Sequence, residues 1–331
     1  MLSAVALACS ASPLLRLSST IARFDAAMAA GLGAEAIGSV PADIAARLRP
    51  RVLTLRELAR GLDSGDATTI VRDIEFSRPA GQPLRLDIYR PAASGRYPIV
   101  IQIYGGAWQR GAPADNQAFA RSIASLGFVV VAIDYRHAPQ WRWPAQIEDV
   151  RTALAWIAQH AREYDGDTSR VALVGRSSGG QLATLAAYED KTAGLTVKAV
   201  VSYYAPVDLA DGYRHPPSPD PLNVRSVLEN YLGATPDDAA GAERYREASP
   251  ITYVTRTAPP TLLIYGTRDH IVQARYGHML DRRLREVGAT SILLEIPWAE
   301  HAFDLLPGGL SGQLSLYYTQ RFLAAALYGK G

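Results

Sequence analysis

Residues 170–180 read "RVALVGRSSGG", an apolar run that stops at a pair of serines hemmed in by Gly175, Gly179 and Gly180. A helix-forming stretch, "QLATLAAYE", follows directly. Gly175-Arg176-Ser177-Ser178-Gly179 fits the pattern G-x-S-x-G, and it falls between an apparent buried strand and a helix, the context that gives the pattern meaning. A turn this sharp needs flanking positions without side chains, and it pushes the serine out of the backbone at the carboxyl edge of a sheet. The helix that starts there brings the positive end of its dipole to the same spot. Ser177 is therefore the first candidate functional residue.

Working outward, short apolar runs alternate with helical ones. "YPIVIQIY" precedes "NQAFARSIASLG", "FVVVAIDY" precedes "PAQIEDVRTALAWIAQHA", and "TLLIYG" precedes "IVQARYGHMLDRRLREVG". "VKAVVSYYA", "TSILLEIP" and a last helix, "GGLSGQLSLYYTQRFLAAALY", complete the series. Strands apolar on both faces that alternate with helices predict an α/β fold, a mostly parallel sheet covered on both sides. Upstream, "TTIVRDIEFSR" and "LRLDIYR" predict two paired strands joined through "PAGQP". Residues 1–62 read as an alanine-rich helical segment and 63–331 as the catalytic domain. Residues 207–250, rich in Pro and Asp, interrupt the rhythm and predict a lid or binding insertion with two short helices. No repeat of fixed period is present, which removes solenoid architectures.

Composition narrows the classes. The chain has 331 residues, 48% hydrophobic and 20% charged, enough to bury a sizeable core. A formal charge of +2 and the lack of any long basic run give no case for nucleic acid. Only Lys191, Lys198 and Lys330 among the 34 basic residues are lysine, an arginine excess that fits a GC-rich, bacterial coding bias. The single cysteine, Cys9, allows no intrachain disulfide and argues against a Cys-based metal site. "LSAVALACSASPLL" is shorter than the roughly 20 apolar residues of a span, and no charge precedes Arg16 as a secretory n-region requires. "ALAC" loosely matches a lipoprotein cleavage site. The readings of this segment stay open: an N-terminal helix that caps the site, which is preferred, or a membrane-associated leader making peripheral contact. Cytoplasmic, periplasmic and membrane-associated locations all fit.

A serine hydroxyl becomes a useful nucleophile only with a base to take its proton and an acid to orient that base. The expected chain order is Ser, Asp or Glu, then His. His301, in "IPWAEHAFD", lies just past the last strand, where a loop can fold back over the sheet edge. His160 and His278 lie inside helices, His137 follows an early strand, His215 sits in the insertion, and His270 adjoins the candidate acid. That acid is Asp269, directly after the penultimate strand; Asp208 is the runner-up, and a helix-capping role competes for Asp269. "IYGGAWQRG" follows another strand, and its Gly-Gly lets consecutive amides curl toward one oxygen. The candidate oxyanion hole is Gly106 and Ala107, with Ser178 as third donor and Gly105 as a further candidate. Trp108, Trp141, Trp143, Tyr203 and Tyr204 flank strand ends; Trp108, Trp141, Tyr203 and Tyr204 are the candidate pocket residues. Asp134 and Arg136 read as a structural pair that ties loops together.

These segments together resemble the hormone-sensitive-lipase-like esterases of the α/β-hydrolase fold, over roughly residues 67–328. "YGGAW" resembles that group's H-G-G-[GA]-[FWY] loop, and "DYRHAPQWRWPAQIED" its D-Y-R-L-A-P-E segment. "GRSSGG" resembles its G-D-S-A-G-G elbow, and Ser249-Pro250, "YGTRD" and the histidine loop fall where the group has them. The resemblance implies hydrolysis of carboxylic esters through an acyl-enzyme, with no cofactor and no metal; small to medium apolar esters are the expected substrates, because nothing in the sequence suggests a charged-ligand site. Three positions depart from it: Tyr104 stands for the usual histidine, Arg176 for an acidic residue and Ser178 for alanine. "GGAW" is also similar to feruloyl-esterase-like and arylformamidase-like relatives. Amide or formamide hydrolysis by the same residues is thus a second reading, and a non-catalytic ligand-binding protein on this fold a third. The chain has no room for the added propeller of a prolyl oligopeptidase.

Overall fold

A computed structural model describes residues 2–33, 35–36, 38–62 and 68–329, with side chains from residue 12 onward. The Cys9 side chain, Lys330 and the 62/63 boundary itself lie outside the described side chains and segments.

The chain begins with three helices, α1 (Leu2–Leu32), α2 (Ala42–Ala45) and α3 (Leu55–Arg60). Two antiparallel strands follow, β1 (Thr68–Ser77) and β2 (Leu84–Pro91), joined through the expected turn. The register of this pair slips between Val71 and Ile74, at Asp73 with φ 58°. Then come β3 (Tyr97–Ile103), α4 (Gln117–Ser125), β4 (Val129–Ile133), α5 (Ala145–His160), β5 (Gly166–Arg176) and α6 (Ser178–Tyr188). After β6 (Val197–Tyr203) the insertion carries α7 (Leu209–Arg214), α8 (Val224–Leu232) and α9 (Ala239–Glu247). The chain closes with β7 (Thr261–Gly266), α10 (Arg275–Glu286), β8 (Ser291–Ile296) and α11 (Leu310–Tyr328).

The eight strands form one sheet in the order β1-β2-β4-β3-β5-β6-β7-β8. β2 pairs antiparallel with β4, and every pair from β4 to β8 is parallel. β4, β7 and most of β3, β5 and β6 are buried along their length, as strands covered on both faces must be. The winding runs from β3 outward to β4, then returns across β3 to β5. A sheet of this kind binds ligands outside the carboxyl ends of the strands where the winding reverses. Here that place lies between the ends of β3 and β5, which carry the "YGGAW" loop and Ser177.

The insertion holds three helices where two were expected. Each starts on a side-chain cap: Asp208 accepts from the Asp211 amide, Asn223 from Ser226 and Asp238 from Gly241. Short helices with polar caps carry little periodic signal, so the count was not legible in advance. Ser249 ties the insertion back: its hydroxyl accepts from the Leu209 amide and donates to the Tyr245 carbonyl.

The N-terminal segment docks beside α11 and β8. Phe24 meets Tyr318 edge-on at 5.1 Å, and the Tyr318 hydroxyl donates to Asp25 at 2.8 Å. Arg49 and Glu57 form a largely buried pair over Gln313. The residues lining the two clefts at Ser177 come from residue 105 onward. Leu209, Leu222, Val224 and Leu228 of the insertion are among them. No described helix is long and apolar enough to cross a membrane.

Candidate active site

Ser177 sits between β5 and α6 with φ 51° and ψ −122°, a backbone conformation that L-residues rarely adopt. Its amide donates to the Tyr203 carbonyl at the end of β6, which fixes the turn from the side. His301 Nε2 lies 3.0 Å from Ser177 Oγ, and His301 Nδ1 lies 2.7 Å from Asp269 Oδ2. With the Nδ1 proton directed at the carboxylate, Nε2 is left to accept from the serine hydroxyl. The Asp269 side chain is fully buried, and its second oxygen accepts from the amides of Ile271 and Val272, both at 2.8 Å. Asp269 thus closes a turn over 269–272 and does not cap the helix that follows, which starts at Arg275 with Ala274 at its N-cap; its other oxygen holds the histidine.

The alternatives for base and acid are occupied elsewhere. His160, His215, His270 and His278 face Glu163, Asp211, Glu300 and Glu295 respectively. Asp208 caps α7.

The loop after β3 is built for close approach. Gly106 has φ 141°, and a Cβ there would lie 2.1 Å from the Arg110 carbonyl oxygen, so only glycine fits. Ala107 and Trp108 follow with φ 56° and 59°. Among the described residues the amides of Gly106 and Ala107 have no acceptor, and that of Ser178 opens α6, in the first turn where a helix supplies none. Gly106 and Ala107 line the broader cleft beside Ser177, so their free amides stand where donors to an oxyanion are needed.

Tyr104 anchors this loop in place of a histidine. Its hydroxyl donates to Asp134 at 2.5 Å, and its ring stacks on Tyr135 with centroids 4.5 Å apart. His137 Nε2, 2.9 Å from the same hydroxyl, supplies a proton to it. Burial pushes the Tyr104 phenol up and the His137 imidazole down, so the first stays protonated and the second neutral. The expected Asp134–Arg136 pair does not form. Asp134 is engaged by Tyr104, and Arg136 pairs instead with Asp149 at 2.8 Å.

Two clefts meet at Ser177. A narrow apolar one, about 60 Å³, runs under α7 and α8 past Trp108, Leu209, Leu228 and Val272. A broad one, about 410 Å³, opens on the His301 side between Arg110, Asn116, Tyr204 and Leu305. Trp108 is held in the first by a hydrogen bond from its indole to Gln181 and by stacking on Tyr231 at 4.1 Å. Tyr204 lines the second. Trp141 and Tyr203 line neither: Trp141 lies under the Arg136 guanidinium, and the Tyr203 hydroxyl bonds Thr319 of α11. Gln181 and Tyr231 were not singled out from the sequence, and His137 only as a histidine set aside as the base, because their partners are far away along the chain.

An eight-stranded sheet with an elbow serine at its reversal point defines an α/β-hydrolase. The model of the BD-FAE family matches residues 86–284, well over half of the chain. The chain is 33% identical over 261 residues to the probable carboxylic ester hydrolase LipM of Mycobacterium tuberculosis (strain ATCC 25618 / H37Rv), covering 74% of this chain and 58% of that one. It is 34% identical over 249 residues to esterase LipC of the same strain, covering 70% and 60%. It thus spans about 60% of the length of these curated relatives. The solved structure of a bacterial heroin esterase superposes with TM-score 0.69 at 23% identity, over 88% of this chain and 99% of that one, a likeness of fold. The chain belongs to the BD-FAE family, and LipM and LipC bear out its likeness to the hormone-sensitive-lipase-like group.

Proposed function

We propose that the protein is a serine carboxylesterase with Ser177 as nucleophile, His301 as base and Asp269 as the acid that orients it. The single observation behind this is the unbroken relay from Ser177 through His301 to Asp269 beside unsatisfied backbone amides. LipM and LipC, named as a probable carboxylic ester hydrolase and an esterase, support the same reading. Ser177 attacks the ester carbonyl as His301 takes its proton, and Asp269 stabilises the imidazolium. The amides of Gly106, Ala107 and Ser178 hold the oxyanion. His301 then protonates the departing alcohol and activates water to release the acid.

The same step orients the substrate. The leaving oxygen must lie within reach of His301 Nε2, which lines only the broad cleft. The acyl group is then left the narrow apolar one. We infer short apolar acyl chains and few limits on the size of the alcohol.

The test is hydrolysis of p-nitrophenyl esters from acetate to palmitate, beside an anilide and a formamide, by the wild type and Ser177→Ala. Turnover is expected to be highest for the short chains, to fall steeply beyond them, and to vanish in Ser177→Ala. Ester turnover that survives in the variant would exclude Ser177. Turnover of the anilide or formamide alone would make the protein an amidase.

A further inference from the structure

We propose that Tyr204, Asp304 and Arg176 form a brace that positions His301 against Ser177. This rests on reading Ser177, His301 and Asp269 as a catalytic triad; the three residues named here are positioning residues.

Arg176, the residue before the nucleophile, is buried, with its side chain 4% exposed. Its Nε donates to Asp304 Oδ2 at 2.5 Å, and its guanidinium lies between the rings of Phe119 and Tyr203, 4.4 and 4.8 Å from their centroids. Asp304 is three residues past His301, and its other oxygen accepts the Tyr204 hydroxyl. The Tyr204 ring in turn lies against the His301 imidazole, centroids 4.6 Å apart, with Phe303 5.0 Å away. A closed circuit results. It runs from Ser177 to Arg176, across the ion pair to Asp304, through Tyr204 to His301, and back to Ser177.

Stability alone does not account for this circuit. A buried ion pair gains little over a well-packed apolar pair, and here Arg176 Nη1 is left without a partner. What the pair supplies is direction. Both Asp304 oxygens are engaged, so the carboxylate has one orientation, and the Tyr204 ring is tethered through it. Asp269 fixes the Nδ1 end of His301, while the tethered ring bars the imidazole from swinging Nε2 away from Ser177. Left-handed backbone gathers at the same place: Ser177, Tyr204 and Ala302 have φ of 51°, 38° and 56°. Such conformations persist where surrounding contacts over-determine them. Burial, followed by the Asp304 charge, pushes the Tyr204 phenol well above its ordinary range, so it remains a donor.

Tyr204→Phe keeps the ring and removes only the tether; Asp304→Asn weakens both contacts. Each is titrated with a fluorophosphonate, so that rates are expressed per reactive Ser177, and kcat and KM are measured on a short p-nitrophenyl ester. In Tyr204→Phe, kcat per titrated site is expected to fall about tenfold, because a slightly misplaced base costs rate steeply. KM should stay within about twofold, the mark of an interaction felt in the transition state. The double variant should be no slower than the worse single one, since the hydroxyl acts only through Asp304. If Asp304→Asn fails to fold, Tyr204→Phe still decides. An unchanged kcat per titrated site in Tyr204→Phe, with or without a lower Tm, would overturn the brace while leaving the triad standing. A wild type that neither turns over esters nor reacts with the probe would overturn the triad reading, and the brace with it.

Discussion

His301→Ala is expected to lower kcat on a short p-nitrophenyl ester by about 10⁶-fold, with the fold retained and KM little changed. The Ser177 hydroxyl needs a base within hydrogen-bond reach, and His301 Nε2 stands 3.0 Å away. Four of the other histidines face surface carboxylates, and the fifth, His137, is held at Tyr104, so none can take over. Asp269→Asn should cost less, about 10⁴-fold, because the base is still present but held in the wrong tautomer. Asp208→Asn should change little, because asparagine caps a helix about as well as aspartate. The check is kcat and KM for the three variants beside circular dichroism. A larger loss in Asp208→Asn than in Asp269→Asn would exchange the two roles.

Gly179→Ala is expected to destabilise the protein by about 3 kcal/mol, or to prevent folding. An added Cβ would lie 2.1 Å from the Tyr104 carbonyl oxygen and 2.4 Å from that of Ile103. Both are backbone atoms at the end of β3, so no side-chain rotation relieves the clash. This close approach sets the start of α6 against the loop that follows β3, and with it Ser178 against Gly106 and Ala107. Urea denaturation of wild type and variant measures the effect. Equal midpoints would mean that α6 and β3 stand farther apart than described.

The elbow, and the candidate histidine and acid that meet at it, were legible in the sequence because their constraints are local. A strand, a turn between glycines and a helix need only neighbouring residues, and Asp269 and His301 each follow their own strand. The supporting contacts were not legible, because they depend on residues that meet only in the folded chain. Arg176 and Asp304 are 128 positions apart, Tyr104 and His137 are 33 apart, and Trp108 and Gln181 are 73 apart. Tyr203 and Tyr204 show the limit most simply. Adjacent residues at a strand end point to opposite sides, and sequence marks both without saying which side the site occupies. One ring goes to α11 and the other to His301. Arg176 was visible as a departure from the family pattern, and its meaning became visible only with Asp304 beside it.

The most direct test of the central claim, that Ser177 is an activated nucleophile, is to treat the native protein with a fluorophosphonate and locate the adduct by peptide mass spectrometry. The expected result is one adduct, on Ser177, absent from Ser177→Ala and strongly slowed in His301→Ala. A folded wild type that stays unmodified, or carries the adduct on another residue, would contradict it.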